Sequence, residues 1–130
     1  MLTDTTFIID LMRQDENAVQ KAKEFSDASL SVLVGTRTIF ELYVGVGLSV
    51  RASEEKEKVP SLLKSLPNLP LDASSASKGG IIYALRIREG TKMDPEDAML
   101  AGIAIQNNEP IITRNRRHFA GISDLKLEPY

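Results

Sequence analysis

MDPEDAMLAGIAIQNNEPIITRNRRHF, residues 93–119, reads as a helix, a turn, a short strand and a polar turn. Asp94 is a good N-cap, Pro95 suits the first helical position, and Glu96 and Asp97 put negative charge in the first turn. From Ala98 to Ile105 the residues are apolar or small almost all round, which predicts a helix buried on most faces. Gln106, Asn107 and Asn108 stop it. Pro110 to Thr113 then makes a short apolar strand, and Arg114 and Asn115 leave it in polar company.

A helix that crosses between parallel strands runs antiparallel to them, so its N-terminus lies where their C-terminal ends emerge. Asp97 and the turn from Thr113 to Asn115 therefore face one edge, the edge at which open α/β sheets place their ligands. Asp97 also continues the stripe of Leu100, Ala101 and Ala104, and a carboxylate there needs a partner. Two readings stand side by side. Asp94 and Asp97 have the spacing of a capping box, with Asp for the usual Glu; or Asp97 belongs to a site.

Outward from this unit, short strands alternate with helices. Met1 to Asp4 is a minimal strand, followed by a helix that Thr5 and Thr6 can cap. Asp10 on that helix reads as solvated, and Asn17 to Phe25 as a second short helix. Leu30 to Val34 is the second strand. The helix after it, TRTIFELYVGVGLSV, has Ile39, Phe40, Tyr43 and Val46 as its apolar stripe and Glu41 about two turns in, with Arg37 four residues earlier as a possible ion-pair partner. Arg51 to Lys58 is a charged helix face or junction. Leu69 to Leu71 is a proline-flanked edge strand. Asp72 caps a helix with Ile81, Ile82, Leu85 and Ile87 as core positions, ended by Gly90. Leu125 to Leu127 is the last strand. This alternation predicts a single three-layer α/β/α domain over residues 1–130, with a central, mainly parallel, five-stranded sheet.

The composition of the 130-residue chain narrows the chemistry. No cysteine is present, which removes thiolate nucleophiles and cysteine zinc sites, and a single histidine, His118, removes any mechanism with two histidines. No run approaches membrane-spanning length and no signal peptide is evident, so a cytoplasmic protein without a membrane partner is expected. A formal net charge of −2 means that any nucleic-acid surface must be local. Asp4 ends the first strand, Glu41 follows the second, Asp97 precedes the fourth and Asn115 follows it. Jointly they resemble an acidic pocket for a hard divalent cation.

The stretches LTDTTFIIDL, TIFELYVG, DAMLAGIAIQNNEPIITRNRRHF and ISDLKLEPY, in that order, resemble the PIN-domain ribonucleases, most closely the VapC-type toxins of toxin–antitoxin pairs. The resemblance implies a metal-dependent endoribonuclease in which Asp4, Glu41 and Asp97 hold Mg²⁺ or Mn²⁺ and Asn115 occupies a fourth position that is often Asp. Thr6 and Thr113 match supporting hydroxyl residues, and Asp94 is a candidate source of extra charge. The cation is expected to orient and acidify a water for in-line attack on an RNA phosphodiester. Arg114, Arg116, Arg117 and His118 are candidates to grip RNA phosphates, or else a solvated turn. The resemblance further implies a VapB-like antitoxin lying in a groove near the site, lined by residues such as Phe7, Leu11, Phe40 and Tyr43, and a homodimer. The alternatives are a non-catalytic PIN-fold module that binds RNA or protein, and a phosphoryl-transfer domain with Asp4 or Asp72 as nucleophile. Both phosphoryl-transfer patterns, the haloacid dehalogenase and the receiver domain, require acidic residues that this chain lacks beside Asp4.

Overall fold

The structure is a computed structural model that describes residues 1–50 and 52–130, with side chains described outside 51–55. Five strands, β1 (Leu2–Thr3), β2 (Leu33–Gly35), β3 (Asn68–Leu69), β4 (Ile111–Ile112) and β5 (Leu127–Glu128), form one sheet in the order β3-β2-β1-β4-β5. Every pairing is parallel, with Leu2 opposite both Leu33 and Ile111. The described helices are α1 (Thr5–Met12), α2 (Glu16–Asp27), α3 (Thr36–Leu48), α4 (Ala52–Lys64), α5 (Ala73–Arg88), α6 (Pro95–Gln106) and α7 (Arg116–Phe119). Alternate strand residues face opposite sides of a sheet. Ile111 accordingly packs with Leu100, Ile103 and Phe119, while its neighbour Ile112 packs with Phe7, Ala18 and Phe25. That alternation sets α6 on one face and α1 and α2 on the other, the three layers expected from the sequence, with β3 at an edge.

Three local expectations are corrected. The second strand starts at Leu33, not Leu30, because Ser29 takes a left-handed conformation (φ 56°) and the Leu30 amide bonds back to the Phe25 carbonyl at 2.8 Å. Leu30 therefore closes α2 rather than entering the sheet. On α3 the inward face is Thr38, Leu42 and Val46, spaced by four, together with Arg37, while Phe40 and Tyr43 are exposed. On α5 the buried residues are Ser75 and Gly79, and Ile81, Leu85 and Ile87 face outward.

The α5 correction has a steric cause. A Cβ on Gly102 of α6 would stand 2.2 Å from the Ser75 carbonyl oxygen and 2.8 Å from the Gly79 nitrogen. Backbone thus meets backbone where the two helices cross, and no side chain fits between them. Small residues, rather than the isoleucine stripe, make the contact. The charged stretch from Arg51 begins outside the described residues; the helix α4 that carries the rest of it includes Pro60 and buries Val59.

Candidate active site

Asp4 leaves β1 and becomes the N-cap of α1, the capping role that its place between strand and helix suggests, rather than Thr5 or Thr6. Its Oδ1 accepts the Phe7 amide at 2.7 Å. The Thr113 hydroxyl also donates to it, and that hydroxyl accepts the Asn115 amide at 3.0 Å. Thr113 is wholly buried at the exit of β4, so the ends of β1 and β4 are tied through one hydroxyl. Asp4 is 7 % exposed. Burial pushes its carboxyl above the usual range despite the two hydrogen bonds, and the nearby carboxylates of Asp97 and Asp10 push the same way.

Asp94 occupies the N-cap position of α6, but its side chain makes no capping hydrogen bond. The capping-box reading is therefore not realised. Instead the Asp97 carboxylate lies 3.0 Å from Nδ1 of His118. Burial raises the Asp97 carboxyl, His118 lowers it, and Asp94 raises it again. Glu41 accepts from both the Arg37 guanidinium and the Thr5 hydroxyl on the same oxygen, Oε2.

These side chains meet in one cavity of about 130 Å³ at the C-terminal edge of the sheet. Asp4, Thr6, Glu41, Asp94, Asp97, Asn115 and His118 all line it, and Thr113 lies beneath, bonded to Asp4. Two residues that the sequence did not place in the site, Thr5 and Arg37, line it too. Arg37 left one signal: it is the second residue of α3, where the helix dipole disfavours a cation, so a buried arginine there needs a carboxylate. A larger cleft, bounded by Ile81, Ile82, Leu85, Ile105 and Ile122, lies away from these groups.

The basic turn separates into two parts. Arg114 turns away from the cavity, pairing with Asp10 at 3.0 Å and Asp15 at 3.2 Å, with its guanidinium 5.0 Å from the centre of the Tyr130 ring. Tyr130 donates its hydroxyl to Asp10 at 2.7 Å, and burial with this bond raises the phenol well above its usual range. Asp10 is thus a buried partner rather than a solvated residue, and Arg114 bolts α1 to the turn after β4. Arg116 and Arg117 stay exposed on α7 beside His118.

The donor set is all oxygen: the carboxylates of Asp4, Asp97 and Glu41 and the amide of Asn115. Hard cations prefer such donors, and Mg²⁺ needs only one or two carboxylates. Asp4 and Asp97 are desolvated, and each has its proton affinity raised further by a neighbouring carboxylate, Asp97 for Asp4 and Asp94 for Asp97, which a cation would relieve. The residues present therefore fit a divalent cation, although among the described residues no three acidic or imidazole side chains stand in a ligating arrangement. Glu41 is the member turned aside, toward Arg37.

A sequence model described as the PIN domain matches residues 1–125. A curated protein of Salmonella typhimurium named tRNA(fMet)-specific endonuclease VapC is 26 % identical over 130 residues, covering 100 % of this chain and 96 % of that one. The structure of a DNA-bound VapBC complex from the same organism matches at 26 % identity and a TM-score of 0.86, over 98 % of this chain and 96 % of that one. A VapBC2 structure from Rickettsia felis, bound to a promoter DNA fragment, superposes with a TM-score of 0.90 at 18 % identity, covering 99 % and 97 % of the two chains. At that identity it shows a shared fold.

Proposed function

The chain belongs to the PIN domain family, and from that premise we propose that it is a metal-dependent endoribonuclease and the toxin of a toxin–antitoxin pair. The observation that carries this reading is the meeting of Asp4, Glu41, Asp97 and Asn115 in one small cavity at the ligand-binding edge of a parallel sheet. The full-length likeness to a VapC endonuclease supports it.

In this reading Asp4 and Asp97 hold Mg²⁺ or Mn²⁺, with Glu41 and Asn115 completing the oxygen donors. When bound, the cation supplies an acidified water and stabilises charge on the scissile phosphate. The protein's own part is positional. Thr113 and the Phe7 amide fix the Asp4 carboxylate, and the Asn115 amide fixes Thr113 in turn. His118 orients Asp97 from the cavity mouth. Arg116 and Arg117 are placed to neutralise RNA phosphates, which gives affinity without sequence choice; Arg114 is withdrawn from that role by Asp10 and Asp15. No side-chain nucleophile is needed.

The partner surface is proposed on α3, where Phe40, Tyr43 and Val44 are exposed. Phe7, first placed in the same groove, is fully buried and belongs to the core. An antitoxin segment on this face and a homodimer both follow from the family reading. No described helix is long and apolar enough to cross a membrane.

One observation favours the non-catalytic alternative: Glu41 is occupied by Arg37 rather than facing the other carboxylates. The same experiment decides both. Purified protein, free of antitoxin, should cleave RNA in Mg²⁺ or Mn²⁺ and stop in EDTA, with initiator tRNA the first substrate to try. Cleavage that persists in EDTA refutes the metal mechanism, and folded protein that neither binds Mn²⁺ nor cleaves RNA is a scaffold.

A further inference from the structure

Arg37 is 8 % exposed and lines the cavity together with four carboxylates, Asp4, Glu41, Asp94 and Asp97. Only its Nη1 has a partner, Glu41; Nε and Nη2 are buried and make no hydrogen bond. A guanidinium normally satisfies its donors in a fork, and leaving two of them desolvated is costly. It also sits in the first turn of α3, where the dipole opposes it. Its charge reaches Asp97, whose proton affinity it lowers.

We propose that Arg37 is the resident counter-ion of the site and competes with the divalent cation for Glu41, so that loading the metal opens the Arg37–Glu41 pair. This rests on the metal-site reading above. Clustered carboxylates need neutralising charge. Arg37 supplies one unit of it through Oε2 of Glu41, the oxygen that also accepts from Thr5. A cation drawn to Asp4 and Asp97 meets both that positive charge and a carboxylate already taken. The half-satisfied guanidinium makes the pair easy to give up, because its desolvation is only partly offset. By reciprocity, whatever strengthens the pair weakens metal binding and the reverse. Arg37 is thus a positioning residue that sets the metal concentration at which the site assembles.

Calorimetric titration of the RNA-free protein with Mn²⁺ tests this. Arg37→Met should bind Mn²⁺ at least about fivefold more tightly than the parent, the lower end of ordinary coupling between sites. Arg37→Lys, which keeps the charge, should fall between the two. Equal or weaker binding by a folded Arg37→Met overturns the proposal. Should that variant not fold, the parent itself gives the answer by nitrogen-15 NMR of the arginine side chains. In EDTA the paired Arg37 should show slowed rotation and resolved Nη signals, and saturating Mg²⁺ should shift and average them; unchanged signals overturn the proposal. The two levels separate cleanly. Equal Mn²⁺ affinity in parent and Arg37→Met, lost in Asp97→Asn, removes this inference and keeps the metal site. Absence of Mn²⁺ binding in folded parent and folded variant alike removes both.

Discussion

Gly102→Ala should be severely destabilising, although it adds one methyl group and raises helix propensity by about 1 kcal/mol. The new Cβ would lie 2.2 Å from the Ser75 carbonyl oxygen, about 1.2 Å short of the 3.4 Å at which ordinary contact begins. Its other close neighbours, the nitrogen and Cα of Gly79, are also backbone. No rotamer change relieves such a clash, so α5 and α6 must move apart. Overpacking of this kind costs about 1–3 kcal/mol, and backbone on both sides puts this case at about 3 kcal/mol. For a chain of this length that is a fall in Tm of about 10 °C. Because the first turn of α6 carries Asp97, cleavage should decline even at temperatures where the variant is folded. Thermal melts followed by circular dichroism, beside an RNA cleavage assay, measure both effects. Gly45→Ala is the control: nothing lies within 4 Å of its new methyl, and the variant should match or exceed the parent. A Gly102→Ala protein that melts within about 2 °C of the parent refutes the close approach of the two helices.

Three more outcomes follow from the site and the turn beside it. The Asp97 carboxyl is raised above its ordinary value of 3.8, so the fold binds the proton more tightly than the unfolded chain does, and the charged form weighs against folding at neutral pH. Asp97→Asn in EDTA should therefore melt above the parent at pH 7, and the gap should close as pH falls toward 3.8; a variant that melts lower at pH 7 restores Asp97 as a helix cap. Replacing Arg116 and Arg117 by alanine should reduce the salt dependence of RNA binding, by roughly 0.7 in slope per lost single-strand phosphate contact. Arg114→Ala should instead lower stability with little change in that slope, since Arg114 is held by Asp10 and Asp15; the reverse pattern would return Arg114 to the RNA surface.

Much of the fold was legible because local signals agreed with tertiary packing. Pro95, the all-round apolar α6 and the Asn run behind it marked the central helix to within a residue. Parallel pairing followed from alternation, and the proline-flanked third strand was read as an edge, where it lies; the order of the other strands was not legible. On α3 and α5, side-chain size is a poor guide to burial. On α5 Ile81 and Ile87 look like core but are exposed and only Ile82 packs against it, whereas Ser75 and Gly79 are buried because only small groups let the α6 backbone approach. On α3, Phe40 outranks Thr38 in hydrophobicity but lies outside. Periodicity gives a helical stripe but not which of two adjacent stripes faces inward. Within the site, Asp4 and Asn115 follow strands and Asp97 opens a helix at the same edge, which the alternation made legible, whereas Glu41, inside α3, was singled out by the family resemblance; all four line one cavity. Spacing alone makes Arg37 a surface partner of Glu41, since nothing in it says that the arginine is buried. Arg114 was misgrouped with its neighbours because adjacent residues on a turn can point in opposite directions, and Asp10, on a distant helix, decides which.

The order of the strands has a consequence for the moment at which the site first exists. β1 is the second and third residues of the chain, and it is completed on one side by β4, with Leu2 opposite Ile111. Asp4 also needs the Thr113 hydroxyl, and Asp97 lies only a little earlier than both. During synthesis the first strand must therefore wait, unpaired on that side, until most of the chain has left the ribosome. At about 5–20 residues per second this takes on the order of 10 s. Over that interval the nascent polypeptide has no assembled carboxylate cavity, and a truncated product of stalled translation has none either. On the function proposed above, the site would come into being only when synthesis of the chain that carries it is nearly complete.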